Sequence, residues 1–289
     1  MKKQMLIYLS LLVIVTLISC SEPDYASTTP DSRSTDADPI VCPELDDSNA
    51  VQVDMTADFL LFSHRGVAQA PDHTFEGYDL AIEQGSIYIE QDLYLSYDGH
   101  LIISHDDEIA DGMRITEMTL EEIREIPREN GEHYLTLDEL FERYGNTVNY
   151  VIENKFTDDA FTLERQVLEL IQAHCLENNV ILQSFHVDSL RFYYEQNVDL
   201  PLVLLVGARA NIDALTDVER YSFADAIAFR STVLNEENVS RLNQMGIIVL
   251  AWFIGETEEE RQRILDLGID GLFTGYTERT FEMLDELND

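Results

Sequence analysis

The sequence predicts an α/β barrel of eight strand-then-helix units, and three observations carry that expectation. Apolar runs of four to seven residues recur eight times beyond about residue 55. Stretches with apolar residues at helical spacing lie between them. The roughly 230 residues available match the length of one (β/α)8 domain. An open doubly wound sheet is the alternative, but no glycine-rich nucleotide loop follows the first strand.

In chain order, the first strand is Phe59 to Ser63, and it runs into His64-Arg65-Gly66. A helix from Thr74 to Gln84 follows, with Gly85 placed for a left-handed cap. The second strand, Ile87 to Leu93, carries Glu90-Gln91-Asp92. From Leu93 to Ser104 the chain reads as a hairpin about Asp98-Gly99, which returns His105 to the barrel mouth. Helices at Thr119 to Ile126 and Leu137 to Tyr144 make a short excursion before the third strand, Asn149 to Asn154. The remaining strands are Val180 to Gln183, Leu202 to Val206, Ala226 to Phe229, Ile247 to Trp252 and Gly271 to Thr274. Helices at Ala160 to Glu177, Asp188 to Gln196, Glu236 to Gln244 and Glu258 to Leu267 alternate with them, and Gly246 and Gly268 close the last two.

The chemistry gathers at strand ends. Glu90 and Asp92 are two apart on a strand, so both carboxylates face one side, and two adjacent acids suit a cation. Glu153 and Lys155 repeat that spacing at the end of the third strand, which in a barrel is the catalytic rim. His64 and His105 are the side chains suited to proton transfer near neutral pH, and Arg65 offers a planar fork to an anion such as phosphate. Any one cluster alone is also what a solvated loop or a surface ion pair would show. Together, at successive strand ends, they indicate metal-assisted phosphoryl chemistry.

The same stretch resembles the glycerophosphodiester phosphodiesterases. Their pattern is a strand ending in His-Arg-Gly, then Pro-Glu-Asn-Thr, Glu-x-Asp, an Asp-Gly turn, His-Asp and a Glu-x-Lys strand. This chain has His64-Arg65-Gly66, Pro71-Asp72-His73-Thr74, Glu90-Gln91-Asp92, Asp98-Gly99, His105-Asp106 and Glu153-Asn154-Lys155. Asp72 and His73 depart from the pattern. Further on, Gln183-Ser184-Phe185 and Trp252 match, whereas Ile254-Gly255 stands in place of valine-asparagine and Gly275 in place of aspartate. These later departures bear on substrate range rather than reaction type.

The resemblance implies metal ligands at Glu90, Asp92 and Glu153, an acid-base pair at His64 and His105, and phosphate contacts at Arg65 and Lys155. Three carboxylates and no cysteine fit Mg2+ or Ca2+ better than zinc. Trp252 either flanks the substrate's glycerol or caps the barrel core. The expected reaction is hydrolysis of a glycerophosphodiester to glycerol 3-phosphate and an alcohol. A lysophospholipid-cleaving, phospholipase-D-like enzyme and a non-catalytic binding lipoprotein are the alternatives, and the paired histidines argue against the second. His73, His100, His133 and His174 are read as ordinary structural or surface histidines, and His186 as a helix cap or a solvated side chain.

Residues 1–20 have a secretory layout: Lys2 and Lys3, an apolar run to about Ile18, then Leu17-Ile18-Ser19-Cys20. That tetrapeptide resembles a bacterial lipoprotein signal, which implies lipidation of Cys20, membrane attachment and residence in the cell envelope. Residues 21–54, rich in Ser, Thr, Asp and Pro to about Asn49, read as a flexible tether, and 55–289 as the barrel. Cys175, inside an expected helix, is read as a buried free thiol rather than as the partner of Cys42. The formal charge is -38 and becomes -40 once Lys2 and Lys3 are removed. So negative a surface repels nucleic acid and anionic membrane lipid.

Overall fold

The computed structural model describes Cys42, residues 49–207 and residues 221–288. The proposed signal segment, Cys20, most of the tether and residues 208–220 lie outside these described residues.

In chain order the elements are β1 (Leu60–Ser63), α1 (Phe75–Glu83), β2 (Tyr88–Leu95), β3 (Leu101–Ile103), β4 (Glu108–Ala110), β5 (Met113–Arg114), α2 (Leu120–Arg124), α3 (Leu137–Tyr144) and β6 (Asn149–Asn154). Then follow α4 (Thr162–His174), β7 (Val180–Ser184), α5 (Val187–Glu195), β8 (Leu202–Val206) and β9 (Ala226–Arg230). The last strands are β10 (Ile248–Trp252) and β11 (Gly271–Thr274), and further helices span Glu236–Gln244, Glu258–Leu265 and Thr277–Asn288.

Eight parallel strands close into a barrel in the order β1, β11, β10, β9, β8, β7, β6, β2, and β1 pairs with β2 to complete the ring. The alternation of strand residues explains the closure. Leu60, Phe62, Val151, Ile181, Val203, Leu250 and Phe273 form an inner cluster. Their neighbours Ile89, Tyr150, Ile152, Leu182, Leu204 and Leu272 pack outward in the larger cluster beneath the helices. Strands buried on both faces are what a helix-covered parallel sheet demands.

The hairpin about Asp98-Gly99 forms as expected, with β3 antiparallel to β2 through Leu93↔Ile103 and Leu95↔Leu101. The excursion after it holds a two-stranded ribbon, β4 with β5, besides α2.

The barrel's other end is closed by the chain leading into it. Val51 N–H donates to Asn146 O and Val53 N–H to Asn178 O, each at 2.9 Å. The side chains of Val53 and Met55 pack on the inner cluster, so the end of the stretch read as a tether is docked.

The reading of Cys175 as a free thiol is corrected. Cys175 is joined to Cys42, with Cα atoms 5.7 Å apart. The helix was expected to run to Glu177, but α4 stops at His174 and Cys175 takes a left-handed conformation, φ 56°, at its end. That turn leaves the residue partly exposed and within reach of Cys42. No helix among the described residues is long and apolar enough to cross a membrane.

Candidate active site

Why β1 ends where it does is a matter of backbone shape. Arg65 has φ 60° and Gly66 φ 97°, so the strand turns sharply as it leaves the barrel. A Cβ on Gly66 would fall 2.8 Å from the carbonyl carbon of Gly77. Glycine therefore lets α1 approach the His64-Arg65 turn closely. Thr74 caps α1 by accepting from Gly77 N–H at 3.1 Å.

The parallel registers Asp92↔Glu153 and Glu153↔Gln183 place the acids of β2 and β6 level with Gln183 at the rim. The result is a cavity of about 560 Å3 into which His64, Arg65, Glu90, His105, Glu153, Lys155 and Trp252 all face. Asp92 lies just beneath, 1% exposed, and is tied to two of them. Its Oδ1 is 3.1 Å from Lys155 Nζ and its Oδ2 is 3.4 Å from Arg65 Nε. Every residue assigned a role from the sequence is thus brought to one place.

Glu90 and Asp92, equally buried, differ in electrostatics. Glu90 accepts from the Arg65 N–H and from Gln183 Nε2, each at 3.1 Å. Burial and then the neighbouring Asp92 charge hold its carboxyl well above the ordinary carboxylate range. For Asp92 burial works in the same direction, but the hydrogen bond from His73 and the charges of Lys155 and Arg65 hold it well below that range. Glu153 pairs with Lys155 Nζ at 3.0 Å. It is pushed up to about 8, by burial first and then by Asp92. His64 is pulled down to about 3 by burial, then by the Arg65 charge. His105 is also lowered, chiefly by burial and then by Lys155, and its Nδ1 lies 2.9 Å from Asp106 Oδ1. Burial thus favours the neutral imidazole in both.

His73, read as an ordinary structural or surface histidine, is buried and tied to a carboxylate of the site. Its ring is 1% exposed, with Nε2 3.0 Å from Asp92 Oδ2 and Nδ1 2.9 Å from the Tyr78 hydroxyl. Ligand-type atoms of His73, Glu90 and Asp92 all lie within 4.8 Å of one another, the one such trio among the described residues. Glu153 falls outside that trio, and Lys155 Nζ bridges it to Asp92. Two buried carboxylates with an imidazole beside them, and a third carboxylate one ammonium away, are a donor set that fits a hard divalent cation. The visible signal was the departure at Asp72-His73 itself, where a charged, metal-capable side chain occurs at a motif position. The other histidines keep their ordinary reading: His133 and His174 pair with Glu139 and Asp138 on the surface, and His186 sits exposed at the start of α5 without capping it.

The opposite wall is largely apolar. Trp252 packs on the inner cluster, as the core reading has it, and also faces the cavity. Its Nε1–H donates to Val206 O at 3.2 Å, and Phe185 meets it edge-on with centroids 5.6 Å apart. Phe185, Ile254 and Tyr276 are exposed large apolar side chains on this wall. Gly255 and Gly275 line it too. Glu256 supplies a carboxylate here, accepting from Gly275 N–H at 3.1 Å and pairing with Arg261 at 2.9 Å.

A parallel barrel whose rim gathers paired acids, two histidines and two basic side chains around one cavity has the layout of a hydrolase acting on an anionic ester. A profile of the glycerophosphoryl diester phosphodiesterase family matches residues 64–279. The chain belongs to that family of phosphoric diester hydrolases. A glycerophosphodiester phosphodiesterase of Bacillus subtilis is 29% identical over 247 residues, covering 75% of this chain and 83% of its own. One from Caldanaerobacter subterraneus is 28% identical over 232 residues, covering 74% and 93%. Among solved structures, an Oleispira antarctica phosphodiesterase in complex with the product sn-glycerol-3-phosphate superposes with a TM-score of 0.68. It is 22% identical and covers 78% of this chain and 96% of its own.

Proposed function

We propose that this chain hydrolyses glycerophosphodiesters to glycerol 3-phosphate and an alcohol, with a divalent cation, Mg2+ or Ca2+, held by Glu90, Asp92 and Glu153. The observation that carries the reading is the convergence of the β1, β2 and β6 strand ends, with His105, on one cavity. A cation held there would supply Lewis-acid polarisation of the phosphoryl oxygens. Arg65 and Lys155, 22% and 12% exposed in their side chains, present positive charge to the phosphate as its negative charge grows. Of His64 and His105, one takes the proton of the attacking hydroxyl, while the other, entering the step as imidazolium beside the bound anionic diester, gives its proton to the leaving alkoxide. A binding protein needs no such pair.

The test uses protein lacking residues 1–20 and a substrate panel of glycerophosphocholine, glycerophosphoethanolamine and lysophosphatidylcholine. The last is included because Phe185, Ile254 and Tyr276 give the cavity an apolar rim. Release of glycerol phosphate with Mg2+ or Ca2+ is expected. His64→Ala and His105→Ala should each lower turnover by at least ~100-fold, while Glu90→Ala, Asp92→Ala and Glu153→Ala should lose cation binding and activity together. No turnover of any diester in the panel ends the enzymatic reading.

We further propose that the protein is exported and lipid-anchored at Cys20. The motif Leu17-Ile18-Ser19-Cys20 supports this, as does the Cys42–Cys175 disulfide, which suits an oxidising compartment. Cys20→Ala should abolish lipid labelling and shift the protein out of the membrane fraction; labelling that persists in the variant rules out the anchor.

A further inference from the structure

His73 is held more firmly than any role as filler requires. Its backbone is left-handed, φ 56°, a conformation rarely adopted by residues other than glycine, though histidine is among those enriched there. Its N–H donates to Arg65 O at 2.9 Å, and its carbonyl accepts from Arg128 Nη1 at 3.1 Å. The ring then closes a circuit. Nε2 meets Asp92 Oδ2, Nδ1 meets the Tyr78 hydroxyl, and that hydroxyl donates to the backbone carbonyl of Glu90 at 3.2 Å. The circuit leaves β2 through the side chain of Asp92 and returns to the same strand two residues earlier. Tyr78 and His73 are both buried, so water does not compete for these contacts.

This circuit assigns different work to the two oxygens of Asp92. Oδ2 is taken up by His73, with Arg65 Nε beside it, whereas Oδ1 is buried without a hydrogen-bond partner, 3.1 Å from the Lys155 ammonium. We propose that His73, backed by Tyr78, is a positioning residue for the cation site: it fixes Asp92 so that Oδ1 alone is presented to a divalent cation. The inference rests on the reading that Glu90 and Asp92 bind a cation. Residues that orient a metal-binding side chain through hydrogen bonds tune its affinity for the cation, and losing one typically costs about 10- to 100-fold. Strained backbone concentrated at a binding site is the expected cost of such preorganisation.

The experiment compares His73→Leu with His73→Gln and Tyr78→Phe. Leu keeps the bulk and removes every donor, while Gln carries an amide N–H at about the reach of the imidazole Nε2. Calcium and magnesium affinities are measured by calorimetry on the purified protein, with the cation-induced rise in melting temperature as a second readout. The expected result is a 10- to 100-fold loss of affinity in His73→Leu, largely restored in His73→Gln, and a smaller loss in Tyr78→Phe. Wild-type affinity in His73→Leu overturns the proposal. So does an equal loss in His73→Leu and His73→Gln with Tyr78→Phe unaffected, which would make His73 a direct ligand. If the wild type itself binds neither cation, the cation-site reading fails instead. Should His73→Leu not fold, Tyr78→Phe still decides, since wild-type affinity in that variant removes the circuit from cation binding.

Discussion

Glu153 and His64 face the same cavity and respond to pH with opposite sign. A carboxyl raised to about 8 in the folded chain binds its proton more tightly than in the unfolded chain, where its value is near 4.5. Its contribution to stability is fully present below the unfolded value and is lost as pH rises through about 8. His64, lowered to about 3 from 6.5, contributes stability that is present above 6.5 and lost as pH falls toward 3. Between pH 4.5 and 6.5 the two oppose each other. Above 6.5 only the carboxyl effect remains, reinforced by Glu90, which is also raised. In chelator the melting temperature should therefore fall between pH 6.5 and 8.5. Saturating Mg2+ or Ca2+ should flatten that fall, because the cation replaces the proton as the partner of the acids; a slope identical with and without cation would remove the carboxyls from the site. The sequence showed the acids, histidines and cations because each lies at a strand end in a two-residue or tripeptide pattern. The departure at Asp72-His73 marked the position but not its partner, since the tie of His73 to Asp92 spans 19 positions and depends on a left-handed turn.

The excursion between β3 and α3 is tied to the site through α1. Glu132 accepts from the Phe75 N–H at 2.8 Å and the Glu76 N–H at 3.1 Å, the first free donors of α1. Arg128 bonds the carbonyls of Asp72 and His73. The turn preceding α1, from which Asp72 pairs with Arg65 at 3.1 Å, is thus braced from outside the barrel. Glu132→Ala should destabilise the protein by about 1 kcal/mol, read as a lower urea midpoint at unchanged slope. An unchanged midpoint would show that α1 is capped adequately by Thr74 alone. The strands were legible because each is an apolar run buried on two faces. The ribbon of β4 and β5 was not, because strands of three and two residues, intermediate to exposed, carry no periodicity.

For the whole molecule, the closing of the ring followed from the count of strand-then-helix units, since eight is the number a barrel of this kind requires. How the ring is sealed beneath did not follow. The docking of Val51 to Met55 and the pairing of Cys42 with Cys175 join positions far apart in sequence, 133 residues in the case of the disulfide. Distance along the chain hides such contacts from any window of residues. A crosslink closing so long a loop removes much of the unfolded chain's freedom, and its loss typically costs about 2 to 5 kcal/mol. Cys42→Ser and Cys175→Ser should each lower the denaturant midpoint by a matching amount, and reductant should lower the wild type to the level of the variants. Variants as stable as the oxidised wild type would show that the docked segment holds without the bond.

The same bond also determines how the chain bears mechanical load. Residues 43–174 form a covalent loop, and every polar member of the site from His64 to Lys155 lies inside it. A pull on the chain upstream of Cys42 passes through the sulfur atoms to the end of α4 and on toward the C-terminal strands, without stretching the loop. Under tension from that side, the segment carrying both histidines and all three carboxylates is not extended.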